Sequence, residues 1–250
     1  MEFFDCNCFL GLPAKAMLRP VRTADDLLAA MDRSGIGRAL VWHVAQRDYC
    51  VPVGNSLLAD AVAGHRDRLT GCWSILPNQA GELPEPGEFF RQMTDAGAAA
   101  LRVFPEAHKF LLRAESFGPI LEHIVSRRVP LMLSLAGSVT WDNVYNLLAD
   151  FPELVCVLCD IGSWGPDRLF RPLLERYANV HVEIGDYFLD GGIQAVVETY
   201  GPKRLLFGTG FPVSGHGGMM LALKHAEITD TNRQDIACGN ITRILEQVKL

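Results

Sequence analysis

The sequence predicts a single-domain α/β protein of the (β/α)8 TIM-barrel class, on three grounds. Eight short apolar runs recur along 250 residues. Amphipathic helical patterns lie between them, and most runs are apolar on both faces, as in a parallel sheet covered by helices. Eight repeats favour a closed barrel over an open doubly wound sheet. No Pro/Gly/Ser linker, charge block or low-complexity segment divides the chain, so residues 1–250 read as one domain. The Pro-rich Leu83-Pro84-Glu85-Pro86-Gly87 reads as a loop leading to a helix.

Taken in order, the strands are expected at Phe3–Cys8, Arg38–Val44, Leu69–Leu76, Ala99–Phe104, Pro130–Ala136, Leu154–Ile161, Val180–Gly185 and Arg204–Gly208. Helical periodicity covers Ala24–Ser34, Asn55–His65, Glu88–Ala96, Ser116–Arg127, Trp141–Asp150, Arg168–Tyr177 and Ile193–Tyr200. Two further helices follow the last strand, near Gly218–Ala226 and Asn232–Gln247. Thr23 is placed to cap the first helix and Gly35 to stop it.

Composition excludes several functions. A formal net charge of −6, from 23 basic and 29 acidic residues, offers no basic surface for nucleic acid. No apolar run approaches the roughly 20 residues a membrane span requires. The amino terminus has no basic region and enters a strand directly, which argues against a signal peptide. Seven scattered cysteines, an odd number, fit buried free thiols in a reducing, cytoplasmic compartment. Zinc held by Cys6, Cys8, Cys156 and Cys159 is disfavoured, because positions 156 and 159 of one strand point to opposite faces.

In a barrel of this class the C-terminal strand ends and the loops after them form the mouth. Side-chain alternation points Asp5 and Asn7 inward on the first strand, and Ala39, Val41 and His43 inward on the second, with Leu40 and Trp42 against helices. Ser74, Arg102, Ser134, Asp160 and either Glu183 or Asp186 complete the mouth. Polar groups ending apolar strands are costly unless they bond to one another, to water or to a ligand, so their recurrence at one end suggests a pocket. Small Ala98 and Ala100 leave room for the Arg102 guanidinium, which grips a carboxylate or phosphate or else pairs internally with Asp160 or Glu183. His43 is a base near neutral pH or a hydrogen-bonded strand-end histidine. Gly208-Thr209-Gly210 and Ser214 to Gly218 precede a helix, where glycines cradle anions or simply turn the chain. His216 on that loop either overhangs the mouth or is solvated.

These landmarks resemble the amidohydrolase superfamily, in its amidohydrolase-2 branch, over nearly the whole chain. Phe4-Asp5-Cys6-Asn7-Cys8-Phe9-Leu10-Gly11 resembles that family's Asp-x-His-x-His-x-Gly opening strand, and Asn55 through Pro77 its approach to strand three. Phe151-Pro152-Glu153-Leu154 followed by Asp160-Ile161-Gly162 is similar to its sixth strand. Arg204 to Pro212 resembles its last strand, and Gly239 to Leu245 its closing helix. Members with a metal centre use two His on strand one, a His on each of strands five and six and an Asp on strand eight. The matching positions here hold Asn7, Phe9, Ser134, Asp160 and Gly210. Metal-independent lactonases of the family rely on the strand-eight acid, which is Gly210 here.

The expectation is therefore a metal-independent hydrolase, or related lyase, with no cofactor, acting on a small, anionic, carboxylate-bearing substrate. Asp160 and His43 are the candidate catalytic residues. Asn7, Arg102, Ser134, Glu183 and His216 are the candidate substrate-binding residues, and no residue is assigned to a metal. Two alternatives stay open: a catalytically silent relative that binds a small ligand or protein partner, and a metal enzyme with unorthodox ligands (Asp160, His43, a cysteine). Pairing into a homodimer is also left open.

Overall fold

A computed structural model describes Met1–Leu250. Eight parallel strands pair in sequence order: β1 Phe4–Leu10, β2 Arg38–His43, β3 Leu69–Ser74, β4 Ala98–Arg102, β5 Leu131–Ser134, β6 Cys156–Cys159, β7 Val180–Glu183 and β8 Leu205–Leu206. The ring closes beyond β8. There Cys6 N–H donates to Phe207 O at 3.0 Å and Phe9 N–H to Phe211 O at 2.9 Å, satisfying the edge that an open sheet would leave bare.

Helices surround the ring: α1 Ala24–Ser34, α2 Ala45–Asp48, α3 Val51–Val62, α4 Pro86–Asp95, α5 Pro105–His108, α6 Ala114–Phe117, α7 Pro119–Ser126, α8 Trp141–Asp150, α9 Asp167–Arg176, α10 Gly192–Tyr200, α11 His216–His225, α12 Asp230–Gln234 and α13 Asn240–Glu246. The Thr23 side chain caps α1, and Gly35 at φ 76° ends it in the left-handed region, as expected. The helix expected over Ser116–Arg127 is broken by Gly118 at φ 56° followed by Pro119. The final helix is interrupted by a π-turn at Asp235–Gly239. Next to it the buried Asn240 donates to Pro202 O and Leu205 O at 2.8 and 2.9 Å, tying α13 to the short last strand. The short α2 and α5 were not foreseen, because one turn carries no readable periodicity.

Two apolar layers form. The larger lies between strands and helices and includes Ala39, Val41, Leu101, Leu133, Leu158 and Val182. The smaller fills the lumen with Cys6, Leu40, Trp42, Cys72, Ala100, Met132, Val157 and Leu206. The second strand therefore faces opposite to the expectation: Leu40 and Trp42 point inward, and Ala39 and Val41 meet helices. On β1 the pairing register to β2 shifts between Asp5 and Cys8. Cys6 packs in the lumen whereas Cys8 packs in the outer layer, breaking the two-residue alternation. Asp5, expected inward, consequently bonds the Thr209 backbone and hydroxyl.

His181 lies in the lumen with Nδ1 3.0 Å from Lys203 O, and burial pushes its pKa down to about 3. A histidine with a depressed folded pKa loses stability as pH falls below the unfolded value of about 6.5 towards that folded value, because only the unfolded chain takes up the proton. By pH 5 this costs about 2 kcal/mol. Asp5, raised by burial to about 6, opposes the effect over the same window, so the difference between proteins is the informative quantity. His181→Gln is expected to make stability, measured by urea titration at pH 7 and pH 5, less acid-sensitive than wild type by about that amount. An unchanged pH difference would show that His181 is not the group responsible.

Candidate active site

The mouth of the barrel holds a cavity of about 240 Å³ whose lining includes Asn7, Phe9, Trp42, Arg102, Ser134 and Asp160. Larger hollows lie elsewhere on the surface, among them one of about 670 Å³ lined by Lys224 and polar residues of Asp230–Asp235. Another of about 390 Å³ lies between α3 and α4, on the helix-facing side of β3.

Asn7 organises the polar floor. Its Nδ2 donates to Asp160 Oδ1 at 2.8 Å and to Glu183 Oε2 at 3.2 Å, while its Oδ1 accepts from Arg102 Nη2 at 2.7 Å. This amide orientation sets the acceptor on the guanidinium and the donors on the carboxyls; the flipped one would oppose like dipoles. Arg102 is almost fully buried and makes no ion pair with Asp160 or Glu183. Its Cζ lies 5.2 Å from the Trp42 ring centroid, and its Nε has no hydrogen-bond partner. A buried guanidinium with a bare donor is poised for an acceptor from outside the chain.

Asp160 is placed by its backbone. The lumen-facing parity of β6 ends at Cys159, so an extended residue 160 would turn away. At φ 52° Asp160 instead adopts the left-handed region, and its carboxylate enters the cavity. There the Ser134 hydroxyl donates to its Oδ2. Glu183 lies under the floor, fully buried and outside the cavity lining. Its carboxyl accepts N–H bonds from Gly185, Asp160 and Asn7. Burial first, then the negative charges of Asp160, Asp186 and Asp5, push its pKa well above the carboxylate range. Glycine is needed beside it, since a Cβ on Gly208 would fall 2.5 Å from Glu183 Cγ.

Two expected site residues lie elsewhere. His43 does not line the cavity; its Nδ1 accepts from Ala45 N at 3.1 Å on the outward face of β2, a consequence of the reversed parity. His216 does not overhang the mouth. It is buried at the start of α11, stacked on Phe211 with centroids 4.1 Å apart, and its Nδ1 is 3.1 Å from Ser34 Oγ. Conversely, the aromatic wall was missed. Phe9 and Phe104 flank Trp42 with centroids 4.9 and 5.2 Å away, and Arg47 lies over the same indole at 5.5 Å. A bulky residue at a mouth position was legible only with the correct parity.

The resemblance implies a divalent metal in this mouth, and the donors present do not suit one. Of the matching positions, Phe9 stacks on Trp42 and Gly210 has no side chain. The Asn7 oxygen is engaged by a guanidinium, and Ser134 is engaged by Asp160. Asp160 is the one carboxylate among them. A side chain at 210 would emerge 3.3 Å from Asp160 Oδ1 at a backbone φ of 66°, so an acid there would crowd a second negative charge against the first.

Comparison with known proteins supports the architecture. The family model described as Amidohydrolase matches residues 9–247. No curated protein sequence matches the chain. Among solved structures, 2,6-dihydroxybenzoate decarboxylase from Rhizobium is similar, at 15% identity, with 98% of each chain covered and a TM-score of 0.75. So is 5-carboxyvanillate decarboxylase from Sphingomonas paucimobilis, at 16% identity, covering 98% of this chain and 99% of that one with a TM-score of 0.73. A third, 4-oxalomesaconate hydratase from Rhodopseudomonas palustris, shares 15% identity over 98% of this chain and 96% of its own, with a TM-score of 0.67. At these identities the structural likeness speaks for the fold.

Proposed function

The chain belongs to the amidohydrolase family, and from that premise we propose that its mouth binds a small carboxylate-bearing molecule and acts on it, as a hydrolase or related lyase, without a metal in the mouth. The observation that carries this reading is the buried Arg102 guanidinium. Its Nε is unpartnered, and Arg102 lines the same cavity as Asp160. Arg102 receives the substrate carboxylate, Trp42 and its aromatic neighbours cover the substrate's apolar part, and Asp160 moves the proton. In a hydrolysis, Asp160 takes a proton from water as the water oxygen bonds to the substrate's acyl carbon. The leaving oxygen then departs with that proton. Two decarboxylases and a hydratase are among the similar structures, which supports a carboxylate-bearing substrate. Seven free cysteines support a reducing, cytoplasmic setting, and no helix is long and apolar enough to cross a membrane.

A second reading rests on one observation. Both Asp160 oxygens already accept internal bonds, from Asn7 and Ser134, as in a catalytically silent protein that keeps only the binding site.

A panel of aromatic carboxylates, lactones and carboxylated esters, screened by thermal shift and by turnover, tests both. Arg102→Met is expected to weaken binding of any carboxylate that stabilises wild type by about 10–100-fold, the value of a charge-assisted hydrogen bond. Unchanged affinity in that variant rules out the anion clamp. Stabilisation by carboxylates with no turnover across the panel favours the silent binder.

A further inference from the structure

Behind the barrel wall, outside the lining of the mouth cavity, three side chains able to ligate a metal converge: Asp5 and Cys8 of β1 and His216 at the start of α11. Their ligand atoms all lie within 4.8 Å of one another, and all three residues are buried. His216 Nε2 is 3.7 Å from Asp5 Oδ2, with the two side chains 1% and 0% exposed. That nitrogen has no hydrogen-bond partner, an expensive condition for a buried imidazole whose other nitrogen is already held by Ser34.

The surroundings orient the three donors. Phe211 stacks on the His216 ring, and Ser34 Oγ contacts Nδ1, so Nε2 is aimed at the cluster. Asp5 Oδ1 accepts from the backbone of Asn7 and Thr209, and Oδ2 from the Thr209 hydroxyl, which leaves Oδ2 a further lone pair. Cys8 sits where β1 bridges Phe211. Outer partners of this kind commonly fix a ligand's tautomer and rotamer.

We propose that Asp5 Oδ2, Cys8 Sγ and His216 Nε2 form a structural site for a borderline-soft divalent cation of the zinc type. One thiolate, one imidazole and one carboxylate suit zinc and do not suit magnesium or calcium. Bonds of about 2.0 Å to nitrogen or oxygen and 2.3 Å to sulfur set the tetrahedral ligands of such a site roughly 3.3–3.5 Å apart. The His216–Asp5 pair, at 3.7 Å, and Cys8, with all three ligand atoms within 4.8 Å of one another, need only draw in around an ion. A single water completes four-coordination, and the Cys8 thiol gives up its proton to solvent on binding. The metal would pin β1 to the 209–216 loop and α11 at the seam where the barrel closes. The site is independent of the reading of the mouth.

The test uses the untagged full-length protein, produced once in zinc-supplemented and once in cobalt-supplemented medium. Elemental analysis is expected to find about one zinc per chain. The cobalt form is expected to show a thiolate-to-cobalt charge-transfer band and intense tetrahedral d–d bands. Cys8→Ser should abolish the charge-transfer band, and His216→Gln should lower the metal content at least tenfold. Cys6→Ser and Asp160→Asn should leave both unchanged. Should Cys8→Ser fail to fold, as judged by circular dichroism, the His216→Gln protein carries the comparison. Folded wild type with no stoichiometric metal, a charge-transfer band surviving in Cys8→Ser, or metal lost in Asp160→Asn would each overturn the proposal.

Discussion

Asp160→Asn is expected to lower turnover by roughly 10²–10⁴-fold, the share a positioned proton-transfer group supplies. Its stability should stay within about 1 kcal/mol of wild type. The structural half of this expectation comes from the backbone. Residue 160 sits at φ 52°, a conformation that asparagine adopts more readily than other side chains with a Cβ. The amide oxygen can keep one of the two bonds that Asn7 and Ser134 donate. Asp160→Ala is a poorer test, because it adds backbone strain and removes both bonds at once. The measurements are kcat on whichever panel compound wild type turns over and the melting temperature of both proteins. An Asp160→Asn protein that is stable and fully active would show that the proton moves through another group.

The largest stability loss is expected at Gly54→Ala, far from any chemistry. A Cβ at 54 would lie 2.5 Å from Gln46 Cα and closer still to Gln46 N, and these are backbone atoms that cannot swing aside. The helices α2 and α3 would have to separate. Between them runs a buried polar clamp: Gln46 Nε2 donates to Asn55 Oδ1 at 2.8 Å and to Cys72 O at 3.1 Å. Asn55 in turn bonds both backbone groups of Ser74, accepting at 2.8 Å and donating at 2.9 Å. Separation therefore adds unpaired polar groups to the steric cost. A loss of about 3 kcal/mol or more is expected, at the upper end for overpacked cores, which lowers Tm by roughly 6–12 °C in a domain of this size. Gly217→Ala is the control, because its Cβ would meet nothing within 4 Å and it sits in the first turn of α11. It should be neutral or stabilising by up to about 1 kcal/mol. Equal melting temperatures for Gly54→Ala and wild type would contradict the packing described.

Much of the barrel was legible residue by residue. Trp141–Asp150 and Ala24–Ser34 are helices over their expected spans, because a 3.6-residue repeat with a Thr cap is a local signal. Strand ends were overestimated where an apolar run continued past the last ladder bond, as at Leu154 and Ile161 flanking Cys156–Cys159. Of the candidate site residues, Asn7, Arg102, Ser134 and Asp160 do line one cavity, Glu183 lies just beneath it, and His43 and His216 lie outside it. Polar residues at apolar strand ends marked the correct end of the barrel. They could not show which way a given strand faces.

What the sequence determined by itself is the succession of eight strand-and-helix units and the end of the barrel where chemistry gathers. Both follow from periodicity and burial, which act over a few neighbouring residues. The tertiary structure alone decided facing: the register shift that turns Asp5 outward, the parity that brings Trp42 into the lumen, and the left-handed turn that swings Asp160 over the mouth. A one-residue shift reverses every later side chain of a strand, and its position is set by partners as distant in sequence as Phe207 and Phe211.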